Sequence, residues 1–412
     1  MLDKAYIQAK EGLLRILSQL DTTTIPIETT SLEDAYERVL AENIYSPEDL
    51  PGFRRSTVDG YAVVAEDTFG ASETSPRYLT IKGDIVMGVP TDITIGRGEC
   101  VRVPTGGMLP EGSDAVLMFE HAQVVSEDMI EVCRALAVNE NVVQADEDIK
   151  RGELVLTKGM KLRPQDVGAL AGIGITRIQV FKRPVVSIIS TGDEIVPPDS
   201  PLKPGQVRDI NSYSLDGLIR QAGGVTLKLG IFKDDYGTLK GAFHRAMESS
   251  DLILLSGGTS AGIKDMTARI IDEAGRPGVL FHGVSVKPGK PLIGGIVGNK
   301  PAFGLPGHPA AIFVSFETFV RPVIERLSGL TKERFKAQTL KAKISKAVAS
   351  QAGREDHIRV SLSRLQDGTL MAERIFGKSG LITTLVRADG VVIIPSEKLG
   401  LDAGEEVHVK TF

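Results

Sequence analysis

Polar residues that could bind an anion and a cation follow five apolar runs in the middle of the sequence. Carboxylates are ligands for a divalent cation, and lysines with glycine-rich turns bind phosphate. Together, the two kinds of residue predict a site for a phosphorylated ligand with a divalent metal. The residues are Thr191, Gly192, Asp193 and Glu194 after VVSIIS, Asp234 and Asp235 after KLGIF, Gly257, Gly258 and Asp265 after LILLS, Lys287 and Lys290 after GVSV, and His308 after PAFGL.

The stretch LILLSGGTSAGIKD, residues 252–265, shows how such a site could be built. Its glycines allow backbone amides near a helix N-terminus to approach an anion, while the lysines come from another loop. Asp265 is then available for a cation. Together with Glu194 and Asp234 it could hold Mg²⁺ in an oxygen shell and let the metal bridge to a phosphate.

Each of these loops also has an ordinary structural explanation. Thr-Gly-Asp is a common turn, Asp234 and Asp235 could cap a helix, and KPGKP could be a solvated loop. The occurrence of polar residues at five successive strand ends favours a binding site over five unrelated turns.

The elements that would position these residues alternate in type from Arg183 onward. Buried-type strands PVVSIIS, VTLKLGI, DLILLS and LFHGVSV alternate with helical patterns near 211–222, 236–249, 264–275 and 309–327. This alternation predicts a doubly wound α/β domain, in which ligands bind beyond the carboxyl ends of the strands.

The flanking regions have other patterns. Residues 2–20 have helical spacing, and Ser31-Leu32-Glu33-Asp34 resembles a capping box that would begin a second helix. Short alternating pieces between about 45 and 145 indicate a β-rich domain, and RPQDVGALAGIG predicts a short helix begun by Pro164. The alternation after about 335 predicts a small β-barrel or sandwich.

Composition limits the classes of function. With 412 residues and roughly 150 residues per domain, we expect two to four domains. The net charge of −5 disfavours nucleic-acid and membrane partners, which select clustered Lys and Arg. Cys100 and Cys133 lack metal-binding spacing, and no signal peptide or membrane span is apparent, so we expect a cytoplasmic protein.

Six motifs together resemble one family. RSTVDGYAV, RVPTGGMLP, STGDEIV, SGGTSAGIKD, VKPGKP and GLPGHPAA occur in the order and spacing of molybdopterin molybdenumtransferases, the MoeA family that includes the gephyrin E domain. The resemblance covers essentially the whole chain. It implies a homodimer whose subunit has a β-rich N-terminal region at 1–180, a molybdopterin-binding α/β domain at 181–330 and a small C-terminal β-barrel at 331–412.

The family resemblance implies insertion of molybdate into adenylylated molybdopterin, with Mg²⁺-dependent loss of AMP. Asp59 and Thr105 would line the substrate cleft, Asp148 matches another acidic position, and Glu194, Asp234 and Asp265 would serve the pterin, the pyrophosphate and the metal. The motifs also imply a set of substrate-binding residues, of which both lysines, the arginine and the second serine would form an oxyanion pocket. The set is Gly257, Gly258, Ser260, Lys287, Lys290, Pro306, Arg354 and Ser379.

The family also implies partners: molybdopterin adenylyltransferase and apo-molybdoenzymes. Tungstate could replace molybdate, because the two oxyanions have nearly the same size and charge. The sequence departs from the family in two places. The loop that commonly ends in Gly-Asn-Pro has Gly307-His308-Pro309, and Gly283 replaces a lysine sometimes found before the KPGKP loop.

Two other functions remain open at this stage. An adenylyltransferase shares the α/β domain, but its glycine-rich loop differs and residues 1–180 would be superfluous to it. A dimeric scaffold of the gephyrin kind would not need the acidic and basic site residues, and this chain has no long linker to a second domain.

Overall fold

The computed structural model describes residues 6–257, 261–331 and 339–412, and the chain divides into two compact units. One unit comprises Glu42–Lys158 and Arg163–Arg177, and the other comprises the remaining residues. The α-helices are α1 (Ala9–Leu17), α2 (Pro164–Gly172), α3 (Asn211–Gln221), α4 (Tyr236–Ser249), α5 (Ala261–Ala274), α6 (Pro309–Ser315), α7 (Arg321–Leu327) and α8 (Thr383–Val386).

Most strands before residue 160 belong to the smaller, β-rich unit. A six-stranded sheet with the order β7-β4-β6-β5-β9-β8 forms its centre. Alternate residues of β4 pack into different apolar clusters, Tyr61 and Val63 into one and Ala62 into another. The predicted β-rich N-terminal region is therefore confirmed. The strands are β1 (Ile27–Ser31), β2 (Ile44–Tyr45), β3 (Arg55–Ser56), β4 (Gly60–Val63), β5 (Arg77–Asp84), β6 (Glu99–Val103), β7 (Ala115–Met118), β8 (Ala122–Ser126), β9 (Met129–Val132), β10 (Val142–Val143) and β11 (Leu154–Leu156).

The α/β domain contains a second six-stranded sheet, with the order β16-β13-β17-β21-β20-β18. Four adjacent strands, β16, β13, β17 and β21, are parallel. Strand β20 is antiparallel to both its neighbours, so β18 runs in the same direction as the parallel four. The strands of this region are β12 (Arg177–Phe181), β13 (Val185–Thr191), β14 (Ile195–Val196), β15 (Val207–Arg208), β16 (Val225–Phe232), β17 (Leu252–Gly257), β18 (Pro277–His282), β19 (Val286–Lys287), β20 (Ile293–Val297) and β21 (Lys300–Leu305).

Both faces of this sheet are covered, which explains the saturated apolar run in β17. Leu252 and Leu254 pack in the apolar cluster that contains residues of α1, α3, α6 and α7. Ile253 and Leu255 pack in the cluster that contains residues of α4 and α5. Because side chains alternate between the faces of a strand, a strand with two covered faces must be apolar throughout. The doubly wound α/β architecture is confirmed.

The C-terminal region is a small barrel, as the family resemblance implied. Five strands follow one another in the order β24-β25-β22-β28-β26, and a pairing of β24 with β26 closes the circle. The barrel encloses its own apolar cluster, which includes Ile344, Val360 and Val409. The strands are β22 (Thr339–Ile344), β23 (Val348–Ala349), β24 (Glu355–Arg364), β25 (Leu370–Arg374), β26 (Gly390–Ile394), β27 (Gly400–Leu401) and β28 (Glu406–Thr411).

The structure differs from the sequence prediction in three elements. The predicted strand LFHGVSV is divided, because β18 ends at His282, and Val286 and Lys287 form β19, which pairs with the barrel strand β24. The prediction of a second helix after a capping box is wrong, because Ser31 is the last residue of β1. The chain then turns, and Val39 and Leu40 form isolated β-bridges with Lys161 and Val180. The sequence pattern also missed β20, whose glycines are unusual in a strand. A Cβ at Gly294 would lie 2.3 Å from the ring of Phe281, so only glycine fits there.

Within the described residues, no helix combines the length and the apolar character that crossing a bilayer requires.

Candidate active site

The carboxyl ends of the parallel strands lie level with one another. Thr191, the last residue of β13, is in register with Phe232 at the end of β16 and with Gly257 at the end of β17. Ser256 is in register with Leu305 at the end of β21. Since β16 and β17 lie on opposite sides of β13, the chain reverses its order at this strand. Crevices at such reversals bind ligands in open α/β sheets.

Asp234 is held at this edge by its neighbours. Its Oδ1 accepts a hydrogen bond of 2.5 Å from the Thr191 hydroxyl, and its backbone N–H donates to Asp193 Oδ1 at 3.3 Å. Asp234 is half-buried, whereas Asp193 and Glu194 are exposed. Two polar loops that the sequence predicted to meet are therefore in contact.

A cavity of about 510 Å³ opens beside these residues. Its lining includes the acidic residues Asp193 and Asp209 and the basic residues Lys228 and Lys233. Lys228 Nζ also lies 3.8 Å from the centre of the Tyr213 ring. Charged residues of both signs in one cavity suit a ligand that is itself polar and ionised.

Position 257 requires glycine, because the backbone of β13 passes too close to it for a side chain. Its φ is +143°, and a Cβ at this position would lie only 1.9 Å from the carbonyl oxygen of Thr191. Gly258 and Ser260, which the motif also assigns to the substrate, lie outside the described residues. Asp265 is exposed on α5.

The three predicted metal ligands do not form a cluster in this structure. Among the described residues, no group of three acidic, histidine or cysteine side chains is close enough to hold a metal ion. The carboxylate of Asp234 is turned toward the Thr191 hydroxyl, and Asp265 lies within α5. Mg²⁺ commonly takes only one or two protein carboxylates and completes its shell with water and phosphate oxygens. Asp234, with Asp193 beside it, fits that smaller requirement.

A second cavity, of about 560 Å³, collects the residues that the motifs assigned to an oxyanion. Its walls come from the loop after β19, the loop before α6 and the loops of the barrel. These segments are up to about 90 positions apart in sequence, and the fold brings them to one place. The predicted residues in its lining are Lys287, Lys290, Pro306, Arg354 and Ser379.

Asp356 holds two of the cations of this cavity in place, and the sequence pattern did not identify it. It is 5% exposed, and its two oxygens receive Arg354 Nε at 2.9 Å and Lys287 Nζ at 3.6 Å. Strand β19 runs parallel to β24 here, which pairs Lys287 with Asp356 in register. Three cations, counting Lys290, and one carboxylate leave a net charge of +2 around the cavity.

Tyr6 and His308 also line the cavity. Lys290 Nζ lies 4.0 Å from the centre of the Tyr6 ring, a cation–π contact that positions the ammonium group. His308 Nδ1 and Ser379 Oγ are 2.9 Å apart, and the Ala310 N–H donates to the Ser379 carbonyl at 3.1 Å. The loop before α6 is thereby joined to the barrel loop.

In the β-rich unit, two predicted residues from separate motifs are in contact. Asp59 Oδ1 accepts hydrogen bonds from the Thr105 backbone N–H at 2.7 Å and from the Thr105 hydroxyl at 2.9 Å. These bonds lower the pKa of the Asp59 carboxyl, the backbone bond most strongly. Asp148 is exposed, and its backbone N–H donates to the Leu50 carbonyl at 3.1 Å.

Three family profiles match consecutive parts of the chain. Residues 6–174 match the MoeA N-terminal region (domain I and II), residues 187–326 match the probable molybdopterin binding domain, and residues 341–412 match the MoeA C-terminal region (domain IV).

Relatives align over nearly the whole chain. A putative molybdopterin biosynthesis protein of Methanocaldococcus jannaschii is 38% identical over 93% of this chain and 92% of the relative. A molybdopterin molybdenumtransferase of Staphylococcus aureus is 32% identical over 98% of this chain and 95% of the relative. The molybdopterin biosynthesis MoeA protein of Pyrococcus horikoshii OT3 has a TM-score of 0.85 at 31% identity, over 99% of this chain and 100% of that chain. On its sequence, its domain content and its fold, this chain belongs to the MoeA family.

Proposed function

We propose that this chain inserts molybdate into adenylylated molybdopterin and releases AMP, which yields molybdenum cofactor. The observation that carries the proposal is the cationic cavity where Lys287, Lys290, Arg354 and Ser379 converge. The name of the Staphylococcus aureus relative, molybdopterin molybdenumtransferase, supports the same activity.

The cavity suits a tetrahedral dianion on grounds of charge and of hydrogen bonding. A net charge of +2 balances molybdate, and charge-assisted bonds from ammonium and guanidinium groups are the strong ones. Arg354 and Lys287 are both paired with the buried Asp356, so their head groups are oriented before the oxyanion arrives. Preorganised donors hold an anion without the cost of reorganisation.

The strand ends of the α/β sheet would take the pterin and its pyrophosphate. Asp234, Glu194, Asp265 and the glycine-rich turn at Gly257 are the residues that we assign to this part of the substrate. Asp234 with Asp193 would hold Mg²⁺, which would neutralise charge on the pyrophosphate as AMP leaves.

We further propose a cytoplasmic homodimer, in which Asp59, Thr105 and Asp148 of one subunit serve the α/β domain of the other. The substrate would arrive from an adenylyltransferase, and the product would pass to apo-molybdoenzymes. Tungstate would compete with molybdate at the same cavity, since only size and charge distinguish the two there.

The test is a reaction of purified protein with adenylylated molybdopterin, molybdate and Mg²⁺. AMP release and reconstitution of an apo-molybdoenzyme should both occur, and omission of molybdate should abolish reconstitution. ATP-dependent adenylylation of molybdopterin instead would identify an adenylyltransferase. If a folded protein catalyses neither reaction, the scaffold role is the remaining alternative.

Variants locate the oxyanion. Lys290→Ala and Arg354→Ala should each raise the molybdate concentration needed for half-maximal insertion by about tenfold, the equivalent of one charge-assisted hydrogen bond. Binding of the adenylylated pterin should be unchanged. Lys346→Ala, which removes an exposed lysine from a barrel turn, is the matched control. Unchanged molybdate dependence in both cavity variants would place the oxyanion elsewhere.

A further inference from the structure

Among the described residues that line the cationic cavity, only His308 is of a type that ordinarily changes charge near neutral pH. It is exposed at the position preceding α6, and its Nδ1 lies 2.9 Å from the Ser379 hydroxyl oxygen. The other charged or ionisable groups that face or support the cavity are two lysines, an arginine, a tyrosine and an aspartate. These groups are Lys287, Lys290, Arg354, Tyr6 and Asp356.

The protonation state of His308 determines where the Ser379 hydroxyl proton can go. In the neutral tautomer with its proton on Nε2, Nδ1 accepts a hydrogen bond from the Ser379 hydroxyl, which is then not available to donate to an anion. When both ring nitrogens carry protons, Nδ1 can only donate. Ser379 Oγ then accepts from the imidazolium, and its own proton is free to point into the cavity.

We propose that His308, whose neutral ring carries its proton on Nε2, is a positioning residue that makes oxyanion binding in this cavity depend on pH, by adding a charge and by turning Ser379 into a donor. The inference rests on the proposed function, since it takes the cavity to be the oxyanion site. The positive charge on His308 and the reoriented Ser379 hydroxyl both attract an anion. The affinity of the cavity for an oxyanion therefore rises as His308 gains a proton.

The size of the effect follows from Coulomb's law. A unit charge some 6 Å from a dianion in largely aqueous surroundings changes affinity by about tenfold, and salt reduces this to about fivefold. Binding and protonation are linked, so an oxyanion that prefers protonated His308 must favour proton uptake by His308 in the same ratio.

The first experiment uses the full-length protein without variants. Calorimetric titration with molybdate and with sulfate, both tetrahedral dianions between about pH 6 and about pH 8, should show about fivefold tighter binding at the lower pH. In parallel, ring-labelled histidine NMR should show one of the six histidines shifting its titration upward on addition of sulfate. The resonance missing from His308→Asn identifies it.

Variants separate positioning from simple charge. His308→Asn keeps a polar side chain that does not titrate, so its oxyanion affinity should be the same at both pH values. Ser379→Ala should lose more affinity at the lower pH, where the hydroxyl is a donor, than at the higher. Equal losses at both pH values, or the same pH dependence in wild type and His308→Asn, would overturn the inference.

The outcome also distinguishes this inference from the proposed function. If wild-type protein binds neither anion, or if Lys290→Ala binds both as tightly as wild type, the cavity is not the oxyanion site and the proposed function loses its main support. If wild type binds, Lys290→Ala does not, and His308→Asn behaves as wild type at every pH, the cavity stands and His308 has no part in it.

Discussion

Asp59 and Thr105 are joined by two hydrogen bonds, because one carboxylate oxygen of Asp59 accepts from both the backbone N–H and the hydroxyl of Thr105. Both residues are exposed, so the pair presents an ionised carboxylate to solvent or to a ligand. The two hydrogen bonds stabilise the charged form, and they therefore hold the pKa of Asp59 below its ordinary value.

Removing the hydroxyl donor should raise the pKa of Asp59. Thr105→Val deletes one of the two bonds but keeps the backbone N–H, so the pKa should move part of the way back to its ordinary value. Thr105→Ser keeps the hydroxyl and is the control. Carboxyl NMR titration measures both, and an unchanged pKa in Thr105→Val would show that the backbone bond alone lowers it.

A shared active site predicts recovery of activity in mixed dimers. Asp59→Ala and Asp265→Asn homodimers should each be inactive, because each carries a lesion in both of its sites. A mixed dimer collects both lesions in one site and leaves the other intact. With random exchange of equal amounts, about half the dimers are mixed, so activity should recover to about a quarter of wild type.

The mixed-dimer measurement is cofactor formation after the two variants are refolded together. Differential affinity tags confirm that mixed dimers formed. No recovery in their presence would place Asp59 in the site of its own chain, or would mean that both sites must be intact.

Asp356 should matter to the cavity even though it has the wrong sign for an anion. Asp356→Ala leaves Arg354 and Lys287 without their common partner, so we expect the molybdate requirement to rise about fivefold and stability to fall by about 1–3 kcal/mol. Asp402→Ala, which removes an exposed barrel carboxylate, should change neither. A lower molybdate requirement in Asp356→Ala would show that its charge outweighs its positioning of the cations.

Two glycines give opposite predictions for the same substitution. Gly257→Ala would place a Cβ 1.9 Å from the Thr191 carbonyl oxygen, so it should displace the strand end and destabilise the fold by about 3 kcal/mol or more. Gly241→Ala, exposed within α4 with nothing within 4 Å of its Cβ, should stabilise by about 0.5–1 kcal/mol. Thermal unfolding of both variants tests the pair, and a fully stable Gly257→Ala would contradict the register between β13 and β17.

The free energy of unfolding should fall at acid pH, in part because Glu317 becomes protonated. Burial disfavours its ionised form, but hydrogen bonds from Arg321 at 2.7 Å and Lys410 at 2.8 Å outweigh burial and lower its pKa. A lowered folded-state pKa contributes stability above the unfolded value, about 4.3, and this contribution is lost as pH falls through the folded value. Glu317→Gln should therefore lose about 1–2 kcal/mol at pH 7 and little at pH 3.

Urea unfolding at a series of pH values measures the contribution of Glu317. Glu373→Gln, at an exposed position of β25, is a suitable comparison because it removes a carboxylate that is not buried. An equal loss at pH 3 and at pH 7 would mean that Glu317 contributes through packing and not through its charge.

The sequence was most informative where local pattern determines structure. Apolar patterns identified β13, β16, β17 and the helices between them, and β17 is apolar over Leu252–Leu255 because both its faces are covered. The capping-box prediction failed because Ser31 ends a strand, a context that four residues do not reveal. The contact of Asp59 with Thr105 spans 46 positions, and no local pattern encodes a pairing at that distance.

The candidate site shows the same division. The motifs named Lys287, Lys290 and Arg354, since cations for an oxyanion are recognisable by type. Asp356 escaped notice because an acidic residue in a barrel strand has no distinguishing neighbour in sequence, and only the register of β19 with β24 gives it two cationic partners.

Strand β19 of the α/β domain pairs with β24 of the barrel through only two residues. Oxyanion binding in the cavity therefore reports whether these two domains are docked. One wall of the cavity belongs to the α/β domain and the other to the barrel, so neither fragment of a chain cut after Thr331 would hold the complete set of donors. Mixing the fragments should restore sulfate binding only to the extent that they reassociate. The affinity of one fragment for the other could then be measured through a small inorganic ion that neither fragment retains by itself.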